Sequence, residues 1–146
     1  RLNVKPNKII MKKLALFTML FVALSVMAQE KPVVEFNERT HDFGTVKEEV
    51  GKVTTVFTFT NQFLAPLTIK SVRASCGCTT PNWSKEPVAP KAKGEITVTY
   101  STTNRPGSFT KSITVVLTNG TEDFTEVLYI KGQVTPKPVE PAAEVK

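Results

Sequence analysis

The feature that most limits what this chain can fold into is a period of two. In the run Val53-Thr54-Thr55-Val56-Phe57-Thr58-Phe59, residues Val53, Thr55, Phe57 and Phe59 fall on one face of an extended strand, and Thr54 and Thr58 on the other. Ile96, Val98 and Tyr100 alternate with Thr97 and Thr99 in the same way. Phe109, Ile113, Val115 and Leu117 share one face of a further run, and Leu128 and Ile130 share one near the end. Helical periodicity is hard to find. The many threonines suit a half-exposed pleated surface, because β-branched side chains are well accommodated in strands.

Glycine and proline separate these runs. Gly44, Gly51, Gly77, Gly94, Gly107 and Gly120 punctuate them, and Pro66, Pro87, Pro90 and Pro106 fall between them, where a missing N–H costs no ladder bond. Asn119-Gly120 between two strand patterns predicts a tight hairpin with a type I′ turn, which needs positive φ. The spacing predicts about seven strands, near residues 33–36, 43–46, 52–61, 67–74, 95–101, 108–118 and 125–134. The fold class expected is all-β, an immunoglobulin-like two-sheet antiparallel sandwich.

The start of the chain bears on compartment. Lys12 and Lys13 precede an uncharged apolar run over residues 14–26, and Val26-Met27-Ala28 then offers small residues where a signal peptidase reads. The run falls short of the roughly 20 apolar residues a membrane-spanning helix needs. Residues 11–28 are therefore expected to be a cleaved signal peptide, with residues 1–10 an upstream extension before Met11. The β-domain is expected over residues 31–134 and a disordered tail over 135–146, where TPKPVEPAAEVK has little to bury. Export implies the periplasm, the cell surface or secretion, with no transmembrane anchor once the signal is removed.

Cleavage also changes the charge argument. The chain carries 19 Lys+Arg against 13 Asp+Glu, and five of the cations (Arg1, Lys5, Lys8, Lys12, Lys13) precede residue 29, leaving 14 − 13, or +1. The basic balance belongs mainly to the export signal, and a nucleic-acid partner is not expected.

Several motifs in order carry a resemblance. His41-Asp42-Phe43-Gly44-Thr45-Val46 is followed by Phe57-Thr58-Phe59-Thr60-Asn61 and Pro66-Leu67-Thr68-Ile69. Ala74-Ser75-Cys76-Gly77-Cys78-Thr79-Thr80-Pro81, Arg105-Pro106-Gly107-Ser108-Phe109 and Ile130-Lys131-Gly132-Gln133-Val134 complete the set. With these residues the chain resembles a family of exported bacterial domains of unknown function, common in bacteria of the Bacteroides type. The family consists of immunoglobulin-like modules related to the ASH and major-sperm-protein group. The resemblance spans roughly residues 33–134 and departs from the family pattern at Gln62-Phe63 and over residues 89–94, both in loops. It implies a sandwich and an exported protein, and it carries no activity with it.

Chemistry concentrates in Cys76-Gly77-Cys78, which holds both cysteines of the chain. Residues i and i+2 of a strand share a face about 6.6 Å apart, near the upper end of the range of about 4.4–6.8 Å for disulfide Cα atoms. Such a small ring restrains the unfolded chain by only about 1.6 kcal/mol before strain. A labile or structural disulfide, a redox-active dithiol and a metal-ligand pair all remain open. A structural zinc site wants four Cys/His ligands, and here only His41 could add a third, so Cu(I) or Zn held by Cys76 and Cys78 is the metal alternative. His41-Asp42 is expected to serve packing rather than acid–base chemistry, since neighbours in a strand face opposite ways. Trp83 is expected to cover one edge of the sandwich, and is also the candidate partner-contact residue. With no complete catalytic constellation, the expected role is a non-enzymatic interaction or structural module of the cell envelope with a protein partner. The alternative is a redox-active or soft-metal protein using Cys76 and Cys78.

Overall fold

The computed structural model describes residues 33–138. The expected upstream extension, signal peptide and most of the expected tail lie outside the described residues. Eight strands follow in order: β1 (Val34–Phe36), β2 (Thr40–Lys47), β3 (Lys52–Asn61), β4 (Thr68–Ala74), β5 (Thr79–Trp83), β6 (Lys93–Ser101), β7 (Gly107–Thr118) and β8 (Asp123–Thr135). A 3-10 turn, Glu48–Val50, joins β2 to β3. One sheet has the order β1-β3-β6-β5 and the other β2-β8-β7-β4. Among the described residues no helix is long and apolar enough to cross a membrane.

The alternation seen in the sequence becomes the interface between the sheets. Phe57, Phe59, Ile96, Val98 and Tyr100 project from the first sheet onto Ile113, Val115, Leu117, Leu128, Ile130 and Val134 of the second, all of them buried. Burying each large apolar side chain is favourable by about 1.5–3 kcal/mol, so this two-layer core outweighs any single turn or ion pair. Thr54 and Thr58 face outward, as the period of two requires.

Three details differ from the sequence reading. The described residues form eight strands rather than seven, because the residues after the cysteines form β5 despite Pro81. β5 pairs only with β6, and an edge strand tolerates a residue that cannot donate to a ladder. The sheets are also not wholly antiparallel, since β2 runs parallel to β8. Finally, the β7–β8 turn is no type I′ pair: of its residues only Gly120 has positive φ, at 95°. The Asn119 side-chain oxygen instead accepts from the backbone N–H groups of Thr121 and Glu122 at 2.9 and 2.8 Å, closing a wider loop.

Candidate functional site

The two cysteines lie where the chain changes sheets. β4 ends at one edge of the second sheet and β5 begins at one edge of the first, with residues 75–78 between them. The crossing is tied down at both ends. Ser75 N–H donates to the Ser112 carbonyl at 2.9 Å, and Ser101 N–H donates to the Cys78 carbonyl at 2.9 Å. Thr79 N–H closes the turn on the Cys76 carbonyl at 3.3 Å. Turning rather than extending brings the Cys76 and Cys78 Cα atoms to 5.3 Å, and the two side chains are joined as a disulfide. Gly77 is absent from the glycines with positive φ, so the turn does not depend on its conformational freedom.

His41 stands far from this pair. It belongs to β2, and β8 and β7 lie between β2 and β4 in the sheet, a separation of about 14 Å at the usual strand spacing. Among the described residues no three His, Cys, Asp or Glu side chains converge as metal ligands would. The His41 ring instead contacts Glu38 through Nδ1 at 2.9 Å and meets the Phe43 ring edge-on at 4.7 Å between centroids.

The rest of the His41–Val46 motif builds a bulge. Asp42 faces away from His41 and accepts the Gly44 N–H at 2.8 Å, while Gly44 sits at φ 63° and the β2–β8 register shifts between Asp42 and Thr45. That hydrogen bond, helped by Lys131 Nζ at 3.3 Å, holds the Asp42 carboxyl below the ordinary carboxylate range. Gly132 on β8 completes the device. A β-carbon there would stand 2.9 Å from the Phe109 ring and 3.0 Å from the Gly44 carbonyl oxygen. Phe109 needs that room because its ring stacks on Tyr100 at 3.9 Å. Both motifs are thus bound into one packing unit.

Trp83 is half-buried against the core, and its indole N–H donates to the Ile69 carbonyl at 3.3 Å. It therefore stitches β5 to β4 across the open side of the sandwich. Beside it lies a hollow of about 680 Å³ whose walls include Asn82, Trp83, Lys93, Glu95 and Thr97. Asn61, which the sequence marks only as the end of a strand, has a structural task. It is fully buried, its amide donates to the Ala65 and Val88 carbonyls, and its oxygen accepts from Phe63 N–H, so it holds two loops together. The only available signal is a lone polar residue at the end of an apolar face.

The strand edges differ in how they are closed. On the far side of β3 from β6, β1 pairs only with Phe59, Thr60 and Asn61, and Asn37 then caps Thr58 through both its backbone N–H and side-chain oxygen. Thr58 thus directs its backbone groups away from β6, and by alternation so do Val56 and Thr54. Among the described residues, residues 52–57 have no strand partner on that side, an open stretch of about 20 Å. The other edges are blunted: β2 by its bulge, β4 by a register shift with exposed Lys70 and Arg73, and β5 by Pro81.

The chain belongs to the family described as a protein of unknown function (DUF1573), whose model matches residues 34–134. No curated protein matches it. Among solved structures, it is similar to the VesB protease of Vibrio cholerae, with 14% identity and a TM-score of 0.58, over 69% of this chain and 32% of that one. It is similar to a protein of unknown function from Porphyromonas gingivalis W83, with 13% identity and a TM-score of 0.58, over 75% of this chain and 50% of that one. The secreted serine protease VesC of Vibrio cholerae is a further likeness, with 15% identity and a TM-score of 0.51, over 83% of this chain and 26% of that one. The chain thus spans at most half the length of these structures, and at such identities the likeness concerns the fold alone.

Proposed function

We propose that this chain is an exported, non-enzymatic interaction module of the cell envelope, which receives an extended segment of another protein as an added strand. The observation that carries this reading is the open half of β3. There Thr54 and Val56 present backbone donors and acceptors outward, with neither the bulge nor the proline that blunts other edges. Added strands bind through such backbone groups, and side chains at alternate positions supply specificity. Val56, 43% exposed on the outer face, offers the added strand an apolar neighbour, with Lys52 and Thr54 on the same face. The signal pattern over residues 11–28 supports the compartment, and the +1 balance beyond it favours no polyanionic partner.

A photo-crosslinking residue placed at Thr54 in the producing cell tests this. The reading expects a discrete protein adduct from position 54 and none from Thr114, whose strand is paired on both sides. Thr54→Pro removes an outward N–H and the exposed hydroxyl contact to Thr99 but no backbone bond to β6, so it should abolish the adduct made from position 56 while leaving the melting temperature within a few degrees. Equal adducts from both positions, or adducts that survive the proline, reject strand addition.

A further inference from the structure

The two sulfurs of the disulfide face different surroundings. Cys78 is 9% exposed, and its carbonyl is clipped to β6 by Ser101 N–H. Cys76 is only partly buried, and the exposed Gly77 beside it has nothing within 4 Å of where a β-carbon would stand. Cys76 is thus the more exposed residue of the pair. Behind it, the Thr79 hydroxyl lies 3.6 Å from Cys76 Sγ and 3.8 Å from Cys78 Sγ. A small hollow lined by Lys52, Gly77, Cys78, Thr80, Thr99 and Ser101 opens beside the pair. A hydroxyl donor next to the sulfurs is what a leaving thiolate needs.

The turn is also held by contacts other than the bond. The hydrogen bonds of Ser75, Thr79 and Ser101 hold the backbone on either side of the pair. A three-residue ring removes little freedom from the unfolded chain, so its closure is a weak reason for two cysteines.

We propose that Cys76–Cys78 is an exchangeable disulfide, reduced by an exported dithiol protein that attacks Cys76. The partner's thiolate attacks Cys76 Sγ, the Cys76–Cys78 bond breaks, and its electron pair stays on Cys78 Sγ beside the Thr79 hydroxyl. The partner's second thiol then gives up its proton and attacks its own sulfur in the mixed disulfide, releasing Cys76. The partner leaves as a disulfide, and two electrons and two protons rest on Cys76 and Cys78. The reverse sequence returns the pair to its oxidised state. This proposal is independent of strand addition at β3.

Glutathione is the probe, used on the purified full-length chain with alkylation and peptide mass mapping as the readout. Excess reduced glutathione should open the bond while the thermal transition and Trp83 emission remain those of the folded domain. Among single variants treated with oxidised glutathione, Cys78→Ser should gain its adduct at Cys76 at least about tenfold faster than Cys76→Ser gains one at Cys78, because exchange rates follow access. A bond that resists glutathione until the domain is unfolded by denaturant marks a purely structural disulfide and overturns the proposal. Equal or reversed adduct rates overturn the order of attack. The experiment on the unmodified chain does not depend on either variant folding.

Discussion

Two glycine-bearing motifs, Asp42-Phe43-Gly44 with its counterpart Gly132 and Cys76-Gly77-Cys78, look equally deliberate in the sequence and differ completely in the structure. At the first, both glycines have a structural reason. Gly44 occupies φ 63°, Asp42 caps its N–H, and Gly132 vacates the space into which the Phe109 ring packs. At the second, Gly77 has neither positive φ nor a close neighbour, and the ring it completes stabilises the fold little. A motif consumed by packing needs no further role. A motif that packing does not explain is where chemistry is to be sought.

Substitutions at the glycines test this contrast. Gly132→Ala should be the most damaging, because the added carbon meets ring carbons at 2.9 Å and a backbone oxygen at 3.0 Å. Overpacking of this kind costs about 2 kcal/mol, and chemical denaturation should show that loss, with a melting temperature lower by about 10 °C. Gly44→Ala meets no neighbour within 4 Å, so only its left-handed backbone is penalised, by about 1 kcal/mol on the same denaturation curve. Gly77→Ala should change stability by less than about 0.5 kcal/mol. A large loss there would place the cysteine turn in the same class as the bulge.

The smallest effect concerns pH. The folded Asp42 carboxyl titrates below its ordinary value because of the Gly44 N–H and Lys131. Its contribution is therefore present above the unfolded pKa, near about 4, and lost as pH falls through the lower folded value. Asp42→Asn should flatten the acid side of a stability–pH curve and leave the cysteine turn's behaviour unchanged. An identical acid limb in parent and variant would remove Asp42 from the bulge's account.

Much of this was legible from the period of two. The inner faces of β3, β6, β7 and β8 follow directly from Phe57, Ile96, Ile113 and Leu128, since a buried face enforces strict alternation. β5 was hidden because five residues containing Pro81 look like a loop, and only the edge position beside β6 makes them a strand. The parallel β2–β8 pairing joins residues about 90 positions apart, and no local pattern announces which strands become neighbours. For the candidate site, spacing alone identified Cys76 and Cys78 as a pair that could close, and placed His41 and Asp42 on opposite faces. It could not show that His41 lies across the sheet from them, that Trp83 has an internal acceptor, or that residues 52–57 have, among the described residues, a strand partner on one side only. Those facts depend on strand order, which is a property of the assembled sheets.

The division between a motif bound by packing and one free of it is tested most directly by urea unfolding of a single preparation, first oxidised and then reduced. The account predicts that both forms are folded and that reduction lowers stability by no more than about 1.6 kcal/mol. A domain that loses several kcal/mol, or unfolds when Cys76 and Cys78 are reduced, would contradict it and make the pair a structural staple.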